Sequence, residues 1–203
     1  MDYPETELTS LLSFAYEMGY LKRVPRSGWF IAGVQDPESI AEHSFRVAII
    51  AMLLAQLEGA DPGKAAVLGL LHDSQESRIG DVPSVGRAYV RTASNPTVTA
   101  DQTAGFPPAA AALVRALVGE YEARTSLEAL CAKDADKLEC ALQAREYEAA
   151  GNRDVAPWVE TSLAGLRTES GRRLGELCRR VEPRAWWAQA AAEYPARPRA
   201  VPD

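Results

Sequence analysis

Residues 65–77 read AAVLGLLHDSQES, and the fold follows from this stretch. An apolar run leads straight into adjacent His72 and Asp73. Asp61 is a good N-cap and Pro62 suits a first helical turn, so the spacing predicts a helix from 62 to about 80. A carboxylate delivered into an apolar interior is expensive unless something compensates its charge. A divalent cation would do so. Successive helical residues lie about 100° apart, which lets His72 and Asp73 reach one ion beside the helix.

Working outward, the only other histidine is His43, in ESIAEHSFRVA (38–48), near the start of an apolar helix predicted over 37–58. The segment AKDADKLECALQA (132–144) adds Asp134 and Asp136, both bordering the apolar side of a long helix predicted over 125–149. Thr125 and Glu128 have capping-box spacing at its start. Further helices are predicted over 6–20, 108–121 and 156–180, with a short one after Pro183. No alternating strand pattern competes with them. The fold class is all-α, a bundle of about six or seven helices with a metal site between them. Residues 82–108 read as one long loop, and loops of that length in compact domains tend to carry function, here as a lid or pocket wall. The tail PARPRAVPD (195–203) reads as disordered, leaving 1–194 as a single domain.

At 203 residues, 47% hydrophobic and 25% charged, the chain is long enough to bury its own core. Its net charge of -6 disfavours a nucleic-acid polymer or an anionic membrane as partner. Cys131, Cys140 and Cys178 cannot all pair and form no CxxC, so they read as reduced thiols of a cytoplasmic protein. The N-terminus lacks the basic start and apolar run of a signal peptide, and the apolar run at 47–54 is too short to cross a bilayer.

Imidazole and carboxylate ligands together suit Mn²⁺, Co²⁺, Fe²⁺, Zn²⁺ or Mg²⁺. An open site of this kind acidifies bound water and clamps a phosphoryl oxygen. Glu76 lies i+4 from His72 and i+3 from Asp73, placing it on the same helical face as a candidate general base or anchor. The loop at 22–31 offers Lys22, Arg23 and Arg26 as phosphate contacts, and Trp29 as a surface for a base or sugar.

Four blocks carry a family resemblance: PESIAEHSFRVA (37–48), LLHDSQESRIGDVP (70–83), EYEARTSLEAL (120–130) and KDADKLECALQAREYE (133–148). Together they resemble the HD-domain metal-dependent phosphohydrolases, in particular the 5′-deoxynucleotidase branch. The resemblance implies His43, His72, Asp73 and Asp136 as ligands of one divalent ion, with Asp136 preferred to Asp134. It implies Glu76 and Asp81 as the catalytic pair that assists water attack and protonates the leaving group. It further implies (deoxy)ribonucleoside 5′-monophosphates as substrates, and a homodimer. Two alternatives remain at this stage: hydrolysis of nucleoside triphosphates or of a specialised pathway nucleotide, and a catalytically silent nucleotide-binding protein. A di-iron oxygenase of the same fold would need more histidines than two.

Overall fold

The structure, a computed structural model, describes residues 2–194; the tail predicted at 195–203 lies outside the described residues. The described residues form eleven α-helical segments and no strand, apart from an isolated bridge between Pro25 and Ser39.

Three helices make the centre. Ser39 opens α3 (Ile40–Glu58) with a capping box: its hydroxyl accepts from Glu42 N, and the Glu42 carboxylate accepts from Ser39 N. The cap places His43 in the first turn, facing inward. Asp61 starts α4 (Pro62–Leu71), its carboxylate accepting from the Gly63 and Lys64 amides. Ser126, one residue later than the predicted cap, opens α8 (Leu127–Ala149) by accepting from Ala129 N. Glu128 instead turns back to accept from Asp61 N, tying the starts of α4 and α8 together.

Val47, Ala51 and Leu54 of α3, Ala65 and Leu68 of α4, and Ala132, Ala135 and Leu138 of α8 are all buried in one core. The alanines let the helices approach closely, and Gly69 marks the crossing of α4 and α3. A Cβ there would meet Val47 Cγ1 at 3.1 Å and Ala48 backbone atoms at 3.3 Å, so α4 rests directly on α3. By length and composition α3 could also cross a membrane, a property the shorter run at 47–54 did not reveal; here it is the central helix of the bundle.

The helix count exceeds the predicted six or seven because two predicted helices are divided and two predicted loops each contain a helix. Beyond α1 (Glu5–Tyr20), the loop before α3 contains a short α2 (Gly28–Ile31). The helix predicted over 62–80 stops at Leu71; residues 72–75 form tight turns bonded i to i−3, and α5 (Glu76–Ile79) follows. The predicted loop at 82–108 contains α6 (Asn95–Gln102), started by Ser94, whose hydroxyl accepts from Thr97 N, with Pro96 in the first turn. α6 packs on α7 (Pro108–Ala123). The helix predicted over 156–180 divides into α9 (Ala156–Ala164) and α10 (Glu169–Cys178), and α11 (Ala185–Glu193) ends the described chain.

Candidate metal centre

His43 from α3 and His72 from the end of α4 meet with their Nε2 atoms 3.2 Å apart. Asp73 Oδ2 lies 3.0 Å from His72 Nε2, and Asp136 Oδ1 of α8 lies 3.4 Å from His43 Nε2. The cross pairs, His43 to Asp73 and His72 to Asp136, are 3.8 and 3.9 Å. The structure thus brings together four residues drawn from α3, α8 and the turn that ends α4.

The far nitrogen of each ring explains its orientation. His72 Nδ1 lies 2.6 Å from the Gly69 carbonyl, which can only accept, so this nitrogen carries the proton. His43 Nδ1 lies 2.5 Å from Glu139 Oε2, and Glu139 is held in turn by Arg46, with Nε at 2.9 Å and Nη2 at 2.7 Å. Both Nε2 atoms therefore face the two carboxylate oxygens. In neutral rings four lone pairs converge, an arrangement that needs a positive charge between them.

Without a cation that charge is a proton. Burial and the Arg26 charge favour a neutral His43, but hydrogen bonds to Asp136 and Glu139 push it up to about 10. A divalent ion fits the same place. Donors about 2.0–2.2 Å from one ion lie roughly 2.9–3.5 Å apart when adjacent, close to the separations found here. The donor atoms of Glu38, His43 and Glu139 also lie within 4.8 Å of one another. There, however, His43 Nδ1 is already engaged by Glu139, so this trio acts as a support behind the ligand.

Glu76 lines the same cleft. Its Oε2 is buried without a hydrogen-bond partner, and burial, reinforced by the charges of Asp73 and Asp81, pushes its carboxyl up to about 9. The helix break at 72–75 separates Glu76 from His72, so its reach into the cleft comes from that turn and not from one continuous helical face. Asp81 sits beyond Gly80, whose φ of 70° swings the chain back toward the 22–31 loop. Its Oδ2 accepts from Ser27 N at 2.6 Å and from Ser27 Oγ at 3.1 Å.

The loop residues fare differently. Arg26 Nη1 donates to Asp73 Oδ2 at 3.3 Å and lines the cleft. Arg23 and Lys22 are exposed in a single 3-10 turn (Leu21–Arg23) and line neither cleft described here. Trp29, expected to offer a ring to a base, is 2% exposed. Its indole N–H donates to Glu38, and its ring packs against Tyr147 and Trp158, which fixes it as part of the lining of a hollow beside Arg26. Asp134, the rejected alternative to Asp136, is buried facing away from the centre, where it accepts from Arg167 N, Thr168 N and Thr168 Oγ1.

Three residues escape the sequence reading. Glu139 carries one usable signal, an acid on the apolar side of α8 one turn after Asp136. Tyr121 and Lys133 carry no such mark. Tyr121 directs its hydroxyl to Asp136 Oδ2 at 3.4 Å, and Lys133 Nζ sits 3.7 Å from the centre of its ring.

The cleft has a volume of about 470 Å³ and is bordered by cationic Arg26, Arg87, Arg124, Lys133 and Lys137. Arg26, Val82 and Arg87 also border a second hollow of about 300 Å³ lined by Asp81, Val85 and Trp158. One side of the site is therefore apolar enough for a nucleoside, and the other is charged enough for a phosphate.

The chain matches known proteins over most of its length. The family profile described as HD domain matches residues 18–177. The chain is 35% identical to the 5′-deoxynucleotidase HDDC2 of Homo sapiens over 141 residues, covering 68% of this chain and 69% of that protein. Among solved structures, a conserved hypothetical protein of Pyrococcus furiosus superposes with a TM-score of 0.69 at 32% identity, covering 84% of this chain and 99% of the other. A predicted metal-dependent phosphohydrolase of Magnetospirillum magnetotacticum gives 0.62 at 27% identity, covering 95% and 97%.

Proposed function

Because the chain belongs to the HD-domain family, we propose that His43, His72, Asp73 and Asp136 hold one divalent cation beside which a nucleotide 5′-phosphate is hydrolysed. The protein is a metal-dependent phosphomonoester hydrolase of the 5′-deoxynucleotidase branch. The observation that carries the site assignment is the convergence of two Nε2 atoms and two carboxylate oxygens within 3.0–3.9 Å, next to a buried, unpartnered Glu76 oxygen. Bound there, the cation supplies the Lewis acidity that acidifies water and neutralises a phosphate oxygen.

The protein groups divide the remaining work. Arg26 stands beside the site with its guanidinium shared between Asp73 and the cleft, placed to counter charge on the phosphate. Glu76 orients the attacking water and takes its proton at the unpartnered Oε2, in the ionised form that a cation held by the four ligands would favour. Asp81 has Oδ2 held by Ser27, leaving Oδ1 to pass a proton to the departing 5′-oxygen. The nucleoside occupies the apolar hollow beside Trp158 and Val85.

The reading extends to (deoxy)ribonucleoside 5′-monophosphates as substrates and to a homodimer. Phe45, Ile49, Leu53 and Leu57 form an exposed stripe on α3, and Trp186 and Trp187 are exposed on α11; either surface could join two copies. Three free cysteines support a reducing, cytoplasmic setting. The test is phosphate release by metal-stripped protein resupplied with Mn²⁺ or Co²⁺, across ribo- and deoxyribonucleoside mono-, di- and triphosphates. Release from monophosphates alone supports the reading. Release only from triphosphates, or none with metal bound, overturns it.

A further inference from the structure

Lys133 differs from the other half-buried cations near the site. Arg26 is paired with Asp73, Arg46 with Glu139 and Glu146, and Lys137 donates to the Gly165 carbonyl at 2.6 Å. Lys133 has no carboxylate within ion-pair distance among the described residues; its side-chain contact is the face of Tyr121. Burial lowers its affinity for the proton, as expected for an ammonium withdrawn from water without a full counter-charge. A cation in such a setting normally has an anionic partner.

Its position identifies that partner. Lys133 precedes Asp136 by one turn of α8, so both project to the same side of the helix. Tyr121, on which the ammonium rests, is 2% exposed and touches the centre twice: its hydroxyl reaches Asp136, and its ring centre lies 5.3 Å from that of His72. The ring is a neutral support that keeps the ammonium in the cleft, where a carboxylate in the same place would have neutralised it. Arg26 flanks the metal-site carboxylates from the loop, and Lys133 approaches them from α8.

Resting on the phosphohydrolase reading above, we propose that Lys133, held by the Tyr121 ring, is a binding residue for the non-bridging oxygens of the substrate phosphate and of the inorganic phosphate product. Arg26 and Lys133 then form a two-sided cationic clamp, and the phosphate pocket draws on α8 as well as on the loop at 22–31.

The experiment compares wild type, K133M and K133R, each loaded with Mn²⁺. It measures inhibition by inorganic phosphate, KM and kcat for a deoxynucleoside monophosphate, the Kd for Mn²⁺ and the melting temperature. Loss of a charge-assisted contact predicts a K133M inhibition constant for phosphate and a KM raised about tenfold to hundredfold. The Mn²⁺ Kd stays within about twofold, and K133R recovers part of the loss because it restores a donor. Unchanged phosphate inhibition in a folded, metal-loaded K133M overturns the proposal, as does loss confined to Mn²⁺ binding. If the wild type itself neither releases nor binds phosphate, the phosphohydrolase reading fails first, and the wild-type arm separates the two failures.

Discussion

Asp134 and Asp136 stand two residues apart on α8, and exchanging each for alanine should give opposite outcomes. Asp134 is 1% exposed and accepts from Arg167 N at 2.9 Å, Thr168 N at 2.7 Å and Thr168 Oγ1 at 2.7 Å. Thr168 is in turn the N-cap of α10, accepting from Gly171 N. D134A leaves two backbone amides in the interior without an acceptor, each costing about 1–3 kcal/mol. The expected destabilisation is about 3–4 kcal/mol, or about 6–16 °C in melting temperature for a chain of this size. Metal binding at the centre should survive in the folded fraction. D136A removes a ligand whose carboxylate already sits near that of Asp73, so the metal-free protein should melt within about 3 °C of wild type while Mn²⁺ affinity falls at least about a hundredfold. Calorimetry of the metal-stripped proteins and Mn²⁺ titration at a temperature where all are folded measure both. A D134A protein that melts like wild type yet loses Mn²⁺ would refute this division of roles.

E139Q should weaken Mn²⁺ binding about 10–100-fold, because an amide no longer enforces the Nδ1–H form of His43; titration of the metal-stripped variant measures it. E76Q should retain Mn²⁺ but lose about 10²–10⁴ in kcat, as expected for a proton acceptor that is not itself a ligand, and equal losses in kcat and Mn²⁺ content would contradict that role. Glu17 is 21% exposed at its side chain; burial opposes its ionisation, but hydrogen bonds from Arg78, Gln102 and Ser77 outweigh it and hold the carboxyl at about 2. A folded-state pKa below the unfolded value of 4.5 stabilises the protein above about pH 4.5, and that stabilisation disappears as pH falls toward 2. After discounting for solvent screening, E17Q should cost about 1–2 kcal/mol at pH 7, with the gap in urea midpoint shrinking toward zero near pH 2–3.

The centre was legible because its ligands break a strong pattern. Both histidines of the chain lie at the edges of apolar runs, and Asp73 follows one of them directly. The all-α class was legible from the same runs. The helix interruptions were not, because they depend on partners distant in the chain. The division between α9 and α10 is stabilised by Asp134, some thirty residues earlier, and α6 is held by Thr99 and Gln102 bonding to Gln75 and Ser74 behind the His72 turn. The setting of Trp29 was hidden for a related reason: nothing in its polar loop shows that Glu38 and Tyr147 hold it in place beside the second hollow. Arg23 and Arg26 could be separated only once Ser27 was seen bonded to Asp81, which draws the second half of the loop onto the site.

Gly69 has an implication for engineering. The gap between the two histidines is set by how closely α4 lies on α3, and at that crossing a hydrogen atom occupies the space where a methyl would collide at 3.1 Å. The bore of the metal site can therefore be adjusted without changing a ligand. Adding a methyl at position 69 while trimming Val47 would preserve the volume of the crossing; adding it alone would lift α4 by a few tenths of an ångström and favour a larger ion. Ion selectivity in this scaffold becomes a question of helix spacing as well as of ligand chemistry.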